Sequence, residues 1–240
     1  MKFAPGLAGL ILAASTLTLA CGDAAAEDRA DTAAPSAQPS LRPAATPADT
    51  VRETLLARAD LGRIKGSAQA PVWVVVISDF QCPFCKRWHE ETAPRIEREY
   101  GRTGRVRIAY LNFPIASHRN AQPAHELAMC GAEQGHFWPV ADALFTTQSA
   151  WKGRSDVGVF FDSLARTLPL DHARLRSCVS QGSTRALVRA DYDRVARLGI
   201  GSTPSFIIGS QTIIGAQPYE AFAAAIDAAL ASAPRDASAP

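Results

Sequence analysis

No block of basic residues runs through this sequence. Its 25 Lys and Arg against 23 Asp and Glu leave a formal charge of +2 over 240 residues, too close to neutral to point to nucleic acid or an anionic surface. A stretch of apolar and small residues, Leu7 to Ala20, carries no charge but is too short to span a bilayer comfortably. No glycine-rich phosphate loop, paired catalytic carboxylates or nucleophilic-serine pattern is present, which removes the chemistries that those patterns carry. Cysteine is scarce. The five residues are Cys21, Cys82, Cys85, Cys130 and Cys178, and three of them stand far from any other.

What is there reads as globular. Hydrophobic residues make up 47% and charged residues 20% of the chain, and the length suits one well-buried domain with an insertion, or two small ones. Lys2 followed by Leu7 to Ala20 predicts an export signal over residues 1–21. Two fates are open. Leu17-Thr18-Leu19-Ala20-Cys21-Gly22 resembles a bacterial lipoprotein box, with Thr18 where leucine is usual, and implies a lipid anchor on Cys21. Cleavage near Ala24-Ala25-Ala26 would instead release a soluble protein. Either route takes the chain out of the cytosol, to the periplasm or cell envelope, where disulfides persist. Residues 22–49 are rich in Ala, Pro, Asp, Ser and Thr and lack aromatics, so a disordered linker is expected, with a similar tail over 233–240.

The informative stretch is Asp79-Phe80-Gln81-Cys82-Pro83-Phe84-Cys85-Lys86-Arg87-Trp88. It follows the apolar run Val72 to Ile77 and opens a predicted helix. Two cysteines two residues apart, where a strand hands over to a helix, suggest redox chemistry. Unpaired N–H groups at a helix start favour a thiolate at the first cysteine, and the thiolate is the form that attacks a disulfide. Pro83 falls at the first turn, where its missing N–H costs nothing. Half of a zinc site and an inert structural disulfide are the alternatives. The zinc reading needs further ligands from Cys130, Cys178 or the five histidines.

The remaining pattern is α/β. Thr50 to Leu61 predicts a short amphipathic helix with Val51, Leu55 and Leu56 on one side, and Ile64-Lys65-Gly66 a brief edge strand. Val72 to Ser78 predicts a strand covered on both faces. A helix from Pro83 to about Tyr100, kinked near Pro94, leads to an alternating strand at Val106, Ile108 and Tyr110. Strand, helix, strand implies a parallel pair joined by a right-handed crossover. Residues 117–198 read as a helical insertion, with helices near 119–133, 136–148, 156–167 and 171–197, the last broken at Gly182 and capped by Asp171. Ser205 to Ile208 and Gln211 to Ile214 predict a hairpin around Gly209-Ser210. A last helix begins at Pro218, with Phe222, Ile226 and Leu230 on one face.

In this order the chain resembles the DsbA-like thiol:disulfide oxidoreductase family of the thioredoxin superfamily. The resemblance rests on Phe80-Gln81-Cys82-Pro83-Phe84-Cys85, Glu133-Gln134-Gly135-His136-Phe137-Trp138, Gly201-Ser202-Thr203-Pro204 and the closing helix, over about residues 60–232. It implies a thioredoxin-like fold, a mixed central sheet flanked by helices, with an inserted helical subdomain and a domain over 50–232. It further implies that Cys82 forms the mixed disulfide and Cys85 resolves it. Pro83 and Phe84 tune the pair, offering no charge or imidazole to the thiolate, so a less oxidising protein is expected than one with histidine there. The Thr203-Pro204 bond would be cis, facing the cysteines, with the Thr203 backbone pairing to substrate. An ordinary trans proline is the alternative.

One departure stands out. Many thioredoxin-fold enzymes carry a buried acid where this sequence has Val76; the nearest acid is Asp79, expected as a turn or cap residue or as a proton acceptor. Cys130 and Cys178 lie on apolar faces of separate helices, and in an exported protein two leftover cysteines suggest a structural disulfide, with two buried free thiols as the alternative. His118, His125, His136 and His172 are expected at helix ends or on the surface, and His89 is assigned no role. Phe84, Trp88, Phe137 and Trp138 are expected as core or groove wall. The expected function is dithiol oxidation of cysteine-containing exported proteins, with a membrane redox partner for recycling, no cofactor or metal, no nucleic acid, and a monomeric state. A reductase or isomerase on the same scaffold, or a non-redox tethered chaperone or metallochaperone, is the alternative.

Overall fold

In a computed structural model, residues 47–233 are described. The expected signal, Cys21 and residues 22–46 of the linker lie outside them, as do residues 234–240. The chain runs α1 (Pro47–Gly62), β1 (Ile64–Lys65), β2 (Val72–Ser78), α2 (Pro83–Glu91), α3 (Ala93–Ile96), a π-helical turn (Glu97–Gly101) and β3 (Val106–Asn112). The insertion follows as α4 (Ala121–Ala132), α5 (Phe137–Thr146), α6 (Gln148–Trp151), α7 (Val157–Ala165), α8 (His172–Gln181) and α9 (Arg185–Arg197). The chain then closes with β4 (Ser205–Ile208), β5 (Gln211–Ile214) and α10 (Tyr219–Ser232).

β2 and β3 pair in parallel from Val72 opposite Val106 to Ser78 opposite Asn112. The strand order is β1-β3-β2-β4-β5, and the other three pairings are antiparallel. Alternation sends Val74, Val76, Ile108, Tyr110 and Phe206 into the larger core, with Trp88, Phe137, Phe145 and Phe222. Ile77 and Leu111 join Phe113 and Val195 in a second cluster. Helix α9 covers that second face at its lower end, so the expectation of a strand covered on both faces fails at the start of β2. Trp73 is 41% exposed there, with the Arg107 guanidinium 4.7 Å from its ring centroid.

Three expected helices differ in detail. The helix after the CxxC motif ends at Glu91, because Pro94 has no N–H for the Glu90 carbonyl, and the backbone resumes through α3 into a turn where Arg102 N bonds Glu97 O at 2.8 Å. The expected helix over 136–148 divides at Thr147, whose Oγ1 donates to the Ala143 carbonyl at 2.7 Å, and Gln148 opens the separate short helix α6. In α1 the inward residue is Ala59; Val51, expected on the packed side, is 60% exposed, and Pro47, Ala48 and Asp49 form its first turn in place of linker. Gly182 adopts φ +60 between α8 and α9, and Asp171 Oδ1 accepts from Arg174 N at 3.0 Å, as the turn and cap patterns predict.

His125 departs from its expected surface position. It is fully buried, against the Phe80 ring at 4.8 Å between centroids, with Nδ1 2.8 Å from Asn112 Oδ1. The Asn112 amide is oriented by Asp191, whose Oδ2 accepts from its Nδ2 at 2.7 Å, so the imidazole meets a carbonyl oxygen and donates. Asp191 in turn pairs with buried Arg63.

Candidate active site

The site forms where β2 ends. Asp79 is fully buried and collects three donors: Gln81 N on Oδ1 at 2.7 Å, and Ile115 N and His118 Nδ1 on Oδ2, each at 2.8 Å. It therefore serves as a turn residue, joining the CxxC loop to the segment after β3. His118, expected at a helix end or on the surface, is held by this carboxylate and must carry its proton on Nδ1, since an ionised carboxylate only accepts. The Asp79 carbonyl accepts from Cys82 N at 3.1 Å, which closes the turn onto α2.

Cys82 is the N-cap of α2, with extended φ −72 and ψ 124, and Pro83 opens the helix. Its Sγ lies 3.5 Å from the Thr203 carbonyl. The Thr203–Pro204 peptide is cis, and the Pro204 carbonyl accepts from Gly215 N at 2.8 Å, fixing the loop beside the helix start. Phe84 is 54% exposed, with the Arg87 guanidinium 5.2 Å from its ring. Trp88 and Phe137 are buried in the core, and Trp138 packs against it.

Cys82 and Cys85 are free thiols with opposite electrostatics. The Cys82 thiol is lowered to about 6, first by the hydrogen bond from Cys85, against the opposing effect of burial. The Thr203 hydroxyl and the N–H groups of Cys85 and Phe84 lower it further. Cys85 is pushed well above the ordinary thiol value, chiefly by burial and then by the neighbouring Cys82 sulfur. The Asp79 N–H, 3.5 Å from Cys85 Sγ, opposes that rise. The arrangement supplies one ready thiolate at near-neutral pH and one protonated thiol behind it.

A polar strap ties this loop to the helical insertion. Gln148 Nε2 donates to the Phe80 carbonyl at 2.7 Å and to the Cys82 carbonyl at 3.0 Å. Gln81 Oε1 accepts from Asn120 N at 2.9 Å, and Asn120 Nδ2 donates to the carbonyls of Trp151, Lys152 and Arg154. Sequence reasoning missed Gln148 and Asn120, because a buried amide inside a helical pattern has no periodic signature. Cys130 and Cys178 are bonded to each other across α4 and α8, with Cα atoms 5.8 Å apart. They are thereby withdrawn from any zinc site with the CxxC pair.

The structure is similar to oxidised BdbD from Bacillus subtilis, with a TM-score of 0.64 and 21% identity over 71% of this chain and 93% of that one. Residues 59–228 match the family model described as Thioredoxin. The chain belongs to the thioredoxin family. Among curated relatives, this thioredoxin-family chain is 29% identical over 175 residues to the Na(+)/H(+) antiporter NhaA 3 of Salinispora tropica, covering 72% of this chain and 26% of the antiporter. It thus spans about a quarter of that relative's length. It is also 28% identical over 149 residues to the probable disulfide bond formation protein D of Bacillus anthracis, covering 60% of this chain and 67% of that protein. Among the described residues of this thioredoxin-family protein, no helix is long and apolar enough to cross a membrane.

Proposed function

We propose that this protein is an exported protein-disulfide oxidoreductase that oxidises dithiols in other exported proteins through Cys82 and Cys85. The observation that carries this reading is the Cys82 sulfur at the α2 N-cap, facing the cis Thr203–Pro204 loop, with protonated Cys85 directly behind. In the oxidised enzyme a substrate thiolate attacks Cys82 of the Cys82–Cys85 disulfide. The Cys85 sulfur leaves with the electron pair and takes a proton. A second substrate thiolate then attacks the mixed disulfide, forming the substrate disulfide and releasing the Cys82 thiolate. Two electrons pass from substrate to enzyme, and a membrane partner carries them away. Lowering the Cys82 thiol favours the reduced enzyme, which makes its disulfide more oxidising.

Pro83 and Phe84 shape the loop, and the Thr203 backbone pairs with an extended substrate segment. The names of the Bacillus relatives support disulfide formation over a non-redox binding role. An export signal at residues 1–21, a lipid anchor on Cys21 and a monomeric domain complete the reading.

The deciding experiment equilibrates the Cys82–Cys85 pair with glutathione and reads it by alkylation and mass. A potential near about −120 mV supports the oxidase, and one near about −270 mV marks a reductase fed by an upstream donor. A pair that neither reduces nor alkylates returns the protein to a binding role.

A further inference from the structure

The helical insertion does more than stand beside the redox loop. Gln148 is 2% exposed and begins α6, at the break after Thr147. Its single amide nitrogen reaches two backbone carbonyls on either side of Gln81, those of Phe80 and Cys82. The Cys82 carbonyl is also the first acceptor of α2, taking Lys86 N at 3.1 Å. The amide therefore fixes the peptide plane that leads from the nucleophilic residue into its own helix. Lys86 adds a second tie from the same helix, its Nζ donating to the Phe145 carbonyl at 2.8 Å at the end of α5. Both contacts hold the start of α2 against the α5–α6 junction.

We propose that Gln148 is a positioning residue through which the insertion sets the reactivity of Cys82: its amide, bonded to the carbonyls of Phe80 and Cys82, holds Cys82 at the N-cap of α2. This inference rests on reading Cys82 as the attacking thiolate. Two effects act in one direction. With the carbonyls held, Cys82 stays at the N-cap of α2, where the Cys85 and Phe84 N–H groups help to lower its thiol. The amide N–H dipoles also place positive charge beside the loop that carries it. Without the donors, the loop loses one fixed wall and the thiolate loses part of its stabilisation. The reduced enzyme is then less favoured, and the disulfide becomes harder to reduce.

The test uses the full chain, reduced, with Gln148→Met, which keeps the length and removes the donors, and Gln148→Glu, whose buried carboxyl offers at most one donor to the two carbonyls. Thiolate absorbance is titrated against pH, and the glutathione equilibrium is read beside it. The expected result is a Cys82 midpoint raised by about one unit in Gln148→Met, a tenfold loss of thiolate below the midpoint. A tenfold change in the exchange equilibrium corresponds to a potential lower by about 30 mV, and Gln148→Glu should move both the same way. A folded Gln148→Met with unchanged midpoint and potential overturns the proposal, as does a lower melting temperature with neither moved. Should the variants not fold, the wild-type Gln148 side-chain amide decides. Slow proton exchange and a resonance shift with the Cys82 titration support the proposal, and rapid exchange with no shift overturns it. The titration needs no exchange partner. A wild-type pair inert to glutathione would therefore count against the oxidase role, while the midpoint still decides the role of Gln148.

Discussion

Cys82 and Cys85 stand within one helical turn of each other, yet their neighbours drive them apart. Cys82 takes a hydrogen bond from Cys85, with Thr203 and the helix N–H groups adding to it; Cys85 looks onto packed core. Alkylation of Cys82 in the reduced enzyme should therefore rise with pH through a midpoint near 6, while Cys85 stays unmodified up to pH 9. Cys85→Ala should trap mixed disulfides with substrates, and Cys82→Ala should trap none, as read on non-reducing gels. The same shift fixes a stability trend. Between about 6 and 9 the unfolded thiol at position 82 holds its proton and the folded one has lost it. The reduced protein should gain stability as pH rises through that window, by urea unfolding, and lose the gain as pH falls through about 6. A trend flat across the window would contradict the lowered thiol. His125 acts at lower pH. Burial lowers it to about 4 from 6.5, although the Asp79 carboxylate, 4.0 Å from Nε2, pulls the other way. The unfolded imidazole takes up its proton first, so stability should drop as pH falls from about 6.5 towards 4. His125→Gln, which can still donate to Asn112, should show a shallower fall over that range. Residues with a local signature, Cys82, Pro83 and Cys85, were legible in the sequence. His125 was not, because its partner Asn112 lies thirteen positions back on another element.

The elements themselves were largely legible, since each buries a face whose period the sequence displays. Alternation marks β3, a continuous apolar run marks β2, and Gly209, at φ +57, marks the β4–β5 turn. The breaks within elements were less so. The division of α5 from α6 follows from one threonine hydroxyl on one carbonyl, a contact no periodicity reports. In α1 the sequence pattern put Val51 inward, but the close approach to α4 is made by small residues. A Cβ at Gly62 would sit 2.6 Å from the Ala132 carbonyl oxygen, too near for any side chain. Gly62→Ala must push α1 away from α4, and should cost about 1–3 kcal/mol in urea unfolding, the range typical of overpacking. Because α1 touches neither thiol, the glutathione equilibrium of the variant should match the wild type. A variant as stable as wild type would mean that the two helices are not held at this distance in solution.

At the scale of the whole molecule, an insertion of six helices hangs on a sheet by two connections, after β3 and before β4. Two covalent and polar devices give it one position. The strap through Gln148, Gln81 and Asn120 joins it to the redox loop. The Cys130–Cys178 bond joins α4, which packs on the core, to α8 at its outer side, closing a sequence separation of 48. A loop of that length limits the unfolded chain by at most about 4 kcal/mol on the entropy model, with about 2–4 kcal/mol typical. Cys130→Ala with Cys178→Ala should therefore lower the unfolding free energy by about 2–4 kcal/mol. The urea dependence should steepen as well, because the freed unfolded chain exposes more surface. A stability loss without the steeper dependence would place the effect in the folded packing around α4 and α8. The Cys82–Cys85 potential adds the functional arm. The insertion reaches Cys82 through α6 and not through α8, so the double variant should leave that potential unchanged while Gln148→Met moves it. A potential that fell equally in both would make the strap a part of general rigidity, and the insertion would then act on the thiolate as a whole body.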